Sequence, residues 1–226
     1  LFNKISSKLR KFESGLYDAR ATVELASLGI GFKPWPASAI APSALKMVIN
    51  DIIINQRSTV IEFGAGLSTV YLAKVLKDTG GRLISIESDC QWAQLVQGWL
   101  AAEGLSEAVN MVIAPMAPCS IGIGGLEWYD TDIVKNAIRD DMIDCVLVDG
   151  PIAYKAGMGL ARYPAIPTIK HRLADRFSIF LDDTNRPGER QITESWGREL
   201  GTTFSNFEGR GAISRAVVGH AFDSQI

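Results

Sequence analysis

The sequence is poor in cysteine, with only Cys90, Cys119 and Cys145 in 226 residues. They are odd in number and form no C-x-x-C pair. That argues against a disulfide framework or a zinc site, suits a reducing compartment, and leads us to expect a cytoplasmic location. Cys145 falls in an apolar run and reads as a small core residue. An excess of charge of one sign is also missing. With 23 Lys and Arg against 25 Asp and Glu the net charge is −2, which favours neither nucleic acid nor an anionic membrane as an obligatory partner. No apolar run reaches the ~18 residues that cross a bilayer. There is no internal repeat and no low-complexity tract. The chain starts at Leu1 rather than Met, as a trimmed start would. What is there, 47% apolar and 21% charged residues, is the composition of one soluble globular domain.

The most informative stretch of the chain is Val60 to Ala73, V-I-E-F-G-A-G-L-S-T-V-Y-L-A. Ser58 to Phe63 is short, β-branched and apolar, as a strand buried on both faces is. Gly64 and Gly66 then break the pattern and let a ligand approach the backbone. Leu67, Val70, Tyr71 and Lys74 recur at helical spacing, so a helix opens at the turn with its free N–H groups aimed above the strand. A dinucleotide turn wants G-x-G-x-x-G. Here the third position is Thr69, and an acid, Glu62, precedes the first glycine. A carboxylate there repels a pyrophosphate but accepts hydrogen bonds from a cationic amine.

E-F-G-A-G-L-S-T in this setting resembles motif I of the class I S-adenosylmethionine (SAM)-dependent methyltransferases. The resemblance implies SAM as cofactor, with Glu62 and the turn (Gly64, Ala65, Gly66, Ser68, Thr69) around its methionine part. A ligand-free strand–turn–helix and a dinucleotide site are the competing readings. A second strand, Arg82 to Glu87, ends in an acid about 20 positions after the turn, the spacing at which a carboxylate reaches a ribose diol. Glu87 and the adjacent Ser88 therefore join the candidate cofactor set. So do Ala114 and Pro115, at the end of a third strand (Val109 to Ala114), where the resemblance implies adenine contact. Asp149 follows a fourth strand, Ile143 to Val148, in the sequence D-G-P. An acid at such a strand end lies in the crevice where α/β sheets bind ligands, and D-G-P matches the family's motif IV region. Asp149 is the first candidate for acceptor contact or proton removal, and is also placed beside the cofactor. Asp183, after a fifth strand (Phe177 to Leu181), is the second. Ile152 to Pro167, with Tyr154, Lys155, Arg162 and Tyr163, reads as an acceptor-binding lid or else a plain connection.

The remaining segments carry weaker signals. Residues 1–29 form an amphipathic helix with Ile5, Leu9, Phe12 and Leu16 at helical spacing and Lys4, Lys8, Arg10 and Lys11 among them; its basic face is solvated, or meets a partner or a membrane surface. Trp35, in a proline-rich loop, walls a pocket or covers the core edge. Ser43 caps a helix over Ala44 to Ile54 and brings residues 38–43 toward the ligand's carboxylate end. Ser88 to Glu103 is a helix with Trp92, Leu95, Val96 and Trp99 inward, Trp92 alternatively leaning on an adenine. Leu126 to Asp130 is a loop, with Tyr129 and Asp130 over the substrate. Ile133 to Ile138, Thr168 to Asp175 and Pro187 to Leu200 are helices. Thr203 to Phe207 and Ala212 to Val218 are two strands close to a hairpin, followed by a tail with His220.

The expected fold is α/β, a doubly wound, mainly parallel seven-stranded sheet with an antiparallel strand near the C-terminus. Residues 1–42 would be a helical segment packed on a SAM-binding domain, 43–226. The function implied is transfer of a methyl group from SAM to a small-molecule acceptor at O or N, in a protein that is compatible with a homo-oligomer. A non-catalytic binding protein of the same fold and a dinucleotide oxidoreductase are the alternatives, with aminopropyl transfer a minor one. Catechol-type O-methyltransferases bind Mg²⁺ with acids after the fourth and fifth strands. Asp149, Asp182, Asp183 and Asn185 follow that order, but Thr184 separates Asp183 from Asn185 and D-G-P departs from that pattern. No metal set is assigned; the competing reading pairs the later acids with Arg186 or Arg190.

Overall fold

The structure is a computed structural model that describes residues 2–224, with side chains described from Phe12 onward. A long helix α1 (Phe2–Ala26) precedes α2 (Pro42–Ile54). There follow β1 (Thr59–Phe63), α3 (Leu67–Thr79), β2 (Arg82–Glu87), α4 (Cys90–Ala102) and β3 (Val109–Ile113). Then come β4 (Met116–Pro118), β5 (Glu127–Tyr129), α5 (Thr131–Ala137), β6 (Ile143–Val148) and α6 (Ala165–Ile169). The chain ends with β7 (Leu173–Leu181), α7 (Pro187–Leu200), β8 (Ser205–Phe207) and β9 (Ile213–Val218). Seven strands make one sheet in the order β3-β2-β1-β6-β7-β9-β8. The first five in that row are parallel, while β9 runs antiparallel to both β7 and β8. This is the doubly wound sheet expected from the strand–helix alternation. No described helix is long and apolar enough to cross a membrane.

The central strands are apolar on both faces because helices cover both. Val60, Leu83, Cys145, Leu147 and Phe180 pack with α2 and α3. Their neighbours Ile61, Phe63, Ile84, Ile86, Val146, Val148 and Ile179 pack on the other side with Val134, Ile166, Ile192 and Trp196. Successive residues of one strand thus feed opposite layers, the period-two rule of an extended chain.

Several local expectations are corrected. Helix α2 starts at Pro42, whose fixed φ suits a first helical position. Ser43 is inside it and is not its cap; its N–H and hydroxyl both donate to Asp18 of α1. Of the stripe expected on α1, Ile5 and Leu9 lie outside the described side chains, and Phe12 and Leu16 face outward. The face toward the body is carried by Ala21 and Leu25. In α4 the buried side is Ala93, Val96 and Leu100, and Leu95 is exposed. The segment 126–130 is no loop: β5 pairs antiparallel with β4, burying Trp128 and Tyr129 completely, and Asp130 caps α5. No helix spans 168–175; α6 is earlier, and β7 begins at Leu173. The first residues of that strand run past a bulge in its pairing with β6, are partly exposed, and so carry polar side chains that hide the strand period.

The C-terminal tail is anchored. Ser224 is fully buried and its hydroxyl donates to Asp51 at 3.3 Å. Phe222 N–H donates to Asn55 Oδ1 at 2.7 Å.

Candidate active site

The sheet order reverses at β1: the chain first builds outward through β2 to β3, then crosses to β6 on the other side. Loops leaving the carboxyl ends of β1 and β6 therefore diverge, and a crevice opens between them. The backbone ladder continues into both loop starts, with Gly64 N–H donating to Ile86 O and Asp149 N–H to Phe63 O, each at 2.9 Å. A cleft of about 550 Å³ lies above these ends, a size that suits a small-molecule site.

Gly64 and Gly66 shape the floor. Gly64 has φ +97°, and a Cβ there would lie 2.9 Å from Gly150 N. Gly66 is extended, and a Cβ there would meet nothing within 4 Å, so its missing side chain leaves room in the cleft. Its N–H donates to Thr69 Oγ1 at 2.8 Å, starting α3.

Glu87 closes the neighbouring strand end. One carboxylate oxygen accepts from the N–H groups of Ser88 (2.6 Å) and Asp89 (2.8 Å); the other accepts from Ala65 N–H at 3.1 Å. Trp92 Nε1–H donates to Ala65 O at 2.7 Å, so the turn is gripped from both sides. The second oxygen of Glu87, with a single described donor, is the one left to accept from a ligand.

Glu62 lies under the turn, fully buried, and does not line the cleft. Hydroxyls of Ser68, Thr69 and Ser85 donate to its carboxylate. Burial pushes its pKa up to about 7, although the three hydroxyls oppose the shift. Thr69 is equally buried beneath the turn.

On the far side, Asp149, Asp182 and Asp183 bring carboxylate oxygens within 4.8 Å of one another. Burial raises the Asp149 pKa to about 6, against the pull of Arg162. Burial and the two neighbouring acids push Asp182 well above the usual range. Asp183 has φ +62° and accepts from Arg186 at 2.8 Å. Arg162, from the loop after β6, reaches into this group. Its Nη2 is 2.6 Å from Asp149 O, 3.2 Å from Asp149 Oδ1 and 3.1 Å from Asp183 Oδ2. Its Nη1 donates to Asp182 O at 3.2 Å and its Nε to Pro151 O at 3.1 Å. The side chain is only 4% exposed.

Of the residues singled out in the sequence, Gly64, Ala65, Gly66, Ser68, Glu87, Ser88, Asp149 and Asp183 meet at one cleft. Glu62, Thr69, Ala114 and Pro115 do not line it. Ala114 is buried with its N–H on Glu87 O, and Pro115 O accepts from Asp130 N–H. Trp35 stands against Tyr71, with its indole N–H on Ile40 O, and covers the core edge. Its neighbours Pro34, Pro36, Ala37, Ser38, Ala39 and Ile40 are the loop residues at the cleft. Tyr129, expected over the substrate, and Arg162, in the segment read as a lid, do line the cleft; sequence reading missed Arg186 as a cleft residue. Only the mixed polar and aromatic content of the loop after β6 hinted at Arg162; no spacing rule marks it.

Residues 61–184 match the sequence model of a methyltransferase-domain family. No curated protein matches the chain by sequence. Solved structures agree in fold at low identity. An O-methyltransferase of tomaymycin synthesis from Streptomyces achromogenes, crystallised with SAM, is 18% identical, with 90% of this chain and 88% of that one covered and a TM-score of 0.62. An O-methyltransferase from Bacillus cereus in complex with S-adenosylhomocysteine (SAH) is 17% identical, with 90% of each chain covered and a TM-score of 0.62. A methyltransferase-like protein from Silicibacter pomeroyi is 23% identical over 83% of this chain and 88% of that one, with a TM-score of 0.52.

Proposed function

Since the chain belongs to the methyltransferase-domain family, we propose that it transfers the methyl group of SAM to a small-molecule acceptor, at oxygen or nitrogen. The observation that carries this reading is the cleft itself: the glycine turn, Glu87 and the Asp149–Asp183 group open onto one space of small-molecule size. The room left at Gly66 fits a ligand lying on the turn. Glu87, with an acceptor oxygen to spare at the cleft, fits a ribose diol. Ala65 and Ser68 border the same floor and Ser88 its rim. Glu62 serves from below, holding the turn through Ser68 and Thr69, while Ala114 and Pro115 support the wall behind Glu87.

SAM supplies an electrophilic methyl on a sulfonium, which an acceptor displaces in line. The chain's own residues position the acceptor and exclude water, and most of the acceleration comes from that alignment. Asp149 is the group placed to take the acceptor's proton, because its raised pKa brings it near neutrality. Asp183 orients Arg162 and Arg186 at the same edge.

A divalent cation, which catechol-type relatives hold among such acids, does not fit this arrangement. The buried Arg162 guanidinium lies between Asp149 and Asp183 and bonds to both. Asn185 is exposed, and its backbone carbonyl accepts from Arg190 at 2.6 Å. The acid group is therefore neutralised by arginine.

The test is calorimetric titration with SAH, followed by transfer of labelled methyl from SAM to a panel of small hydroxyl and amine compounds. Binding, and label on one acceptor class that is undiminished by EDTA, are expected. Tight NADH binding with none of SAH would sink the reading. SAH binding without transfer to any acceptor class would favour a non-catalytic binding protein. Activity abolished by EDTA and restored by Mg²⁺ would remove the arginine-neutralised site.

A further inference from the structure

Tyr129 is only 1% exposed, yet it lines the cleft. Its ring is fixed against Phe63, with 6.0 Å between centroids, and edge-on to Trp128 at 5.3 Å. Its hydroxyl stands over Gly150. A Cβ added to Gly150 would collide with that oxygen and would lie 2.8 Å from Gly64 Cα. The oxygen therefore sits where the loop starts of β1 and β6 touch, between the glycine turn and the acid group. Among the described residues none hydrogen-bonds to it. A buried hydroxyl ordinarily has a partner, so one that reaches a cleft without any is matched to what the cleft holds.

The charges around the hydroxyl narrow what that is. Burial, then the Glu87 carboxylate, holds the phenol well above its ordinary range; Asp149 and Glu62 act the same way and Arg162 opposes them. Arg162 is itself committed to Asp149, Asp183 and the backbone of Asp182 and Pro151. The phenol thus stays neutral. Its proton is drawn toward the acids, and its lone pairs are left for a ligand group that carries positive charge. With the ribose on Glu87 and the acceptor at Asp149, the sulfonium of SAM falls between these two residues, because one carbon joins it to the ribose and its methyl must face the acceptor.

From this position we propose that the Tyr129 oxygen contacts the sulfonium centre of SAM and so distinguishes the charged donor from its neutral product, SAH. The inference rests on the SAM reading of the cleft. SAM and SAH differ by one methyl group and one positive charge. An oxygen lone pair attracts the sulfonium and its polarised methyl C–H groups, and attracts the neutral thioether far less. The same contact turns the methyl toward Asp149, where the acceptor is aligned. Once the methyl has gone the attraction goes with it, which favours release of the product.

The experiment is calorimetric titration of the full chain and of Tyr129→Phe, each with SAM and with SAH. Phenylalanine keeps the ring between Phe63 and Trp128 and removes only the hydroxyl, so thermal unfolding is expected to match the parent. Affinity for SAM is expected to fall about tenfold, while affinity for SAH changes by less than about twofold. The ratio of the two is the decisive reading, because a general distortion of the cleft weakens both ligands alike. Equal loss of SAM and SAH overturns the proposal and makes Tyr129 a support for the part that the two ligands share. Unchanged affinity for both also overturns it, and leaves the hydroxyl to the acceptor. A parent chain that binds neither ligand removes the SAM reading itself, and this inference with it; the other outcomes leave that reading standing.

Discussion

Gly64 and Gly66 stand two residues apart and have different reasons to be glycine. At Gly64 the backbone is left-handed and a Cβ would strike the Asp149–Gly150 backbone. Gly64→Val should lower stability by about 3 kcal/mol, through strain and overpacking together. Gly66 is extended with open space before it. Gly66→Val should fold with stability within about 1 kcal/mol of the parent, yet lose SAH affinity at least about 100-fold. Urea unfolding beside calorimetric titration separates the two, and normal SAH affinity in folded Gly66→Val would take the turn out of the site. Asp149 makes a second prediction at this scale. A general base acts in its ionised form, so kcat/KM should rise with pH through about 6 and level off above it. Asp149→Asn should lower the plateau about 10²–10⁴-fold and remove that limb. A flat profile across that range would leave Asp149 as a contact and not a base.

At the scale of elements, Glu62 is the joint of three: it sits on β1 and takes hydroxyls from α3 and β2. Its folded pKa of about 7 lies above the ordinary carboxylate value of 4.5. The folded state therefore holds a proton that the unfolded chain has released, and its contribution is full below about pH 4.5 and lost as pH rises through about 7. Relative to Glu62→Gln, the protein should lose on the order of 3 kcal/mol between those limits. Urea unfolding of both proteins at the two pH values is the measurement, and parallel profiles would mean that Glu62 stays charged when folded. The acid itself was legible in the sequence because it precedes a glycine turn; its burial was not, since a strand residue's face is set by register. The same limit explains the other misses. Trp128 and Tyr129 sit among glycines and polar residues that read as loop, and only pairing with β4 makes them core. The polar start of β7 carries no period because it lies in the irregular stretch between its paired residues Leu173 and Ser178. By contrast β1, β2, β6 and the turn were legible, because burial on both faces leaves a short, mainly apolar run rich in β-branched residues. Of the cleft, the strand-end acids were legible from position, whereas Arg162 is placed by a loop whose path no short-range pattern encodes.

For the whole molecule, the two ends of the sheet are assigned different tasks. The carboxyl ends hold the cleft. The opposite end holds a buried ion pair, with Arg57 Nε 3.1 Å from Asp51 Oδ2 and Nη2 donating to Ser178 at 2.7 Å. Burying charge in this way is stabilising only while every partner is kept. The C-terminal tail supplies part of that set: Ser224 meets Asp51 and Arg215, and the Phe222 backbone meets Asn55 on both sides of its amide. A chain ending at Gly219 would leave Asp51 with fewer donors and admit water to the pair. Its stability should fall by about 2–4 kcal/mol. Because β1 and β6 are rigid, paired along their length, and separate the two ends, the loss should not reach the cleft. The folded fraction should bind SAH within about threefold of the full chain, as distant sites usually add independently. Urea unfolding and calorimetry on the shortened chain test both statements. A shortened chain of full stability would make the tail a passive cover, and a large loss of SAH affinity in folded protein would show the two ends of the sheet to be coupled.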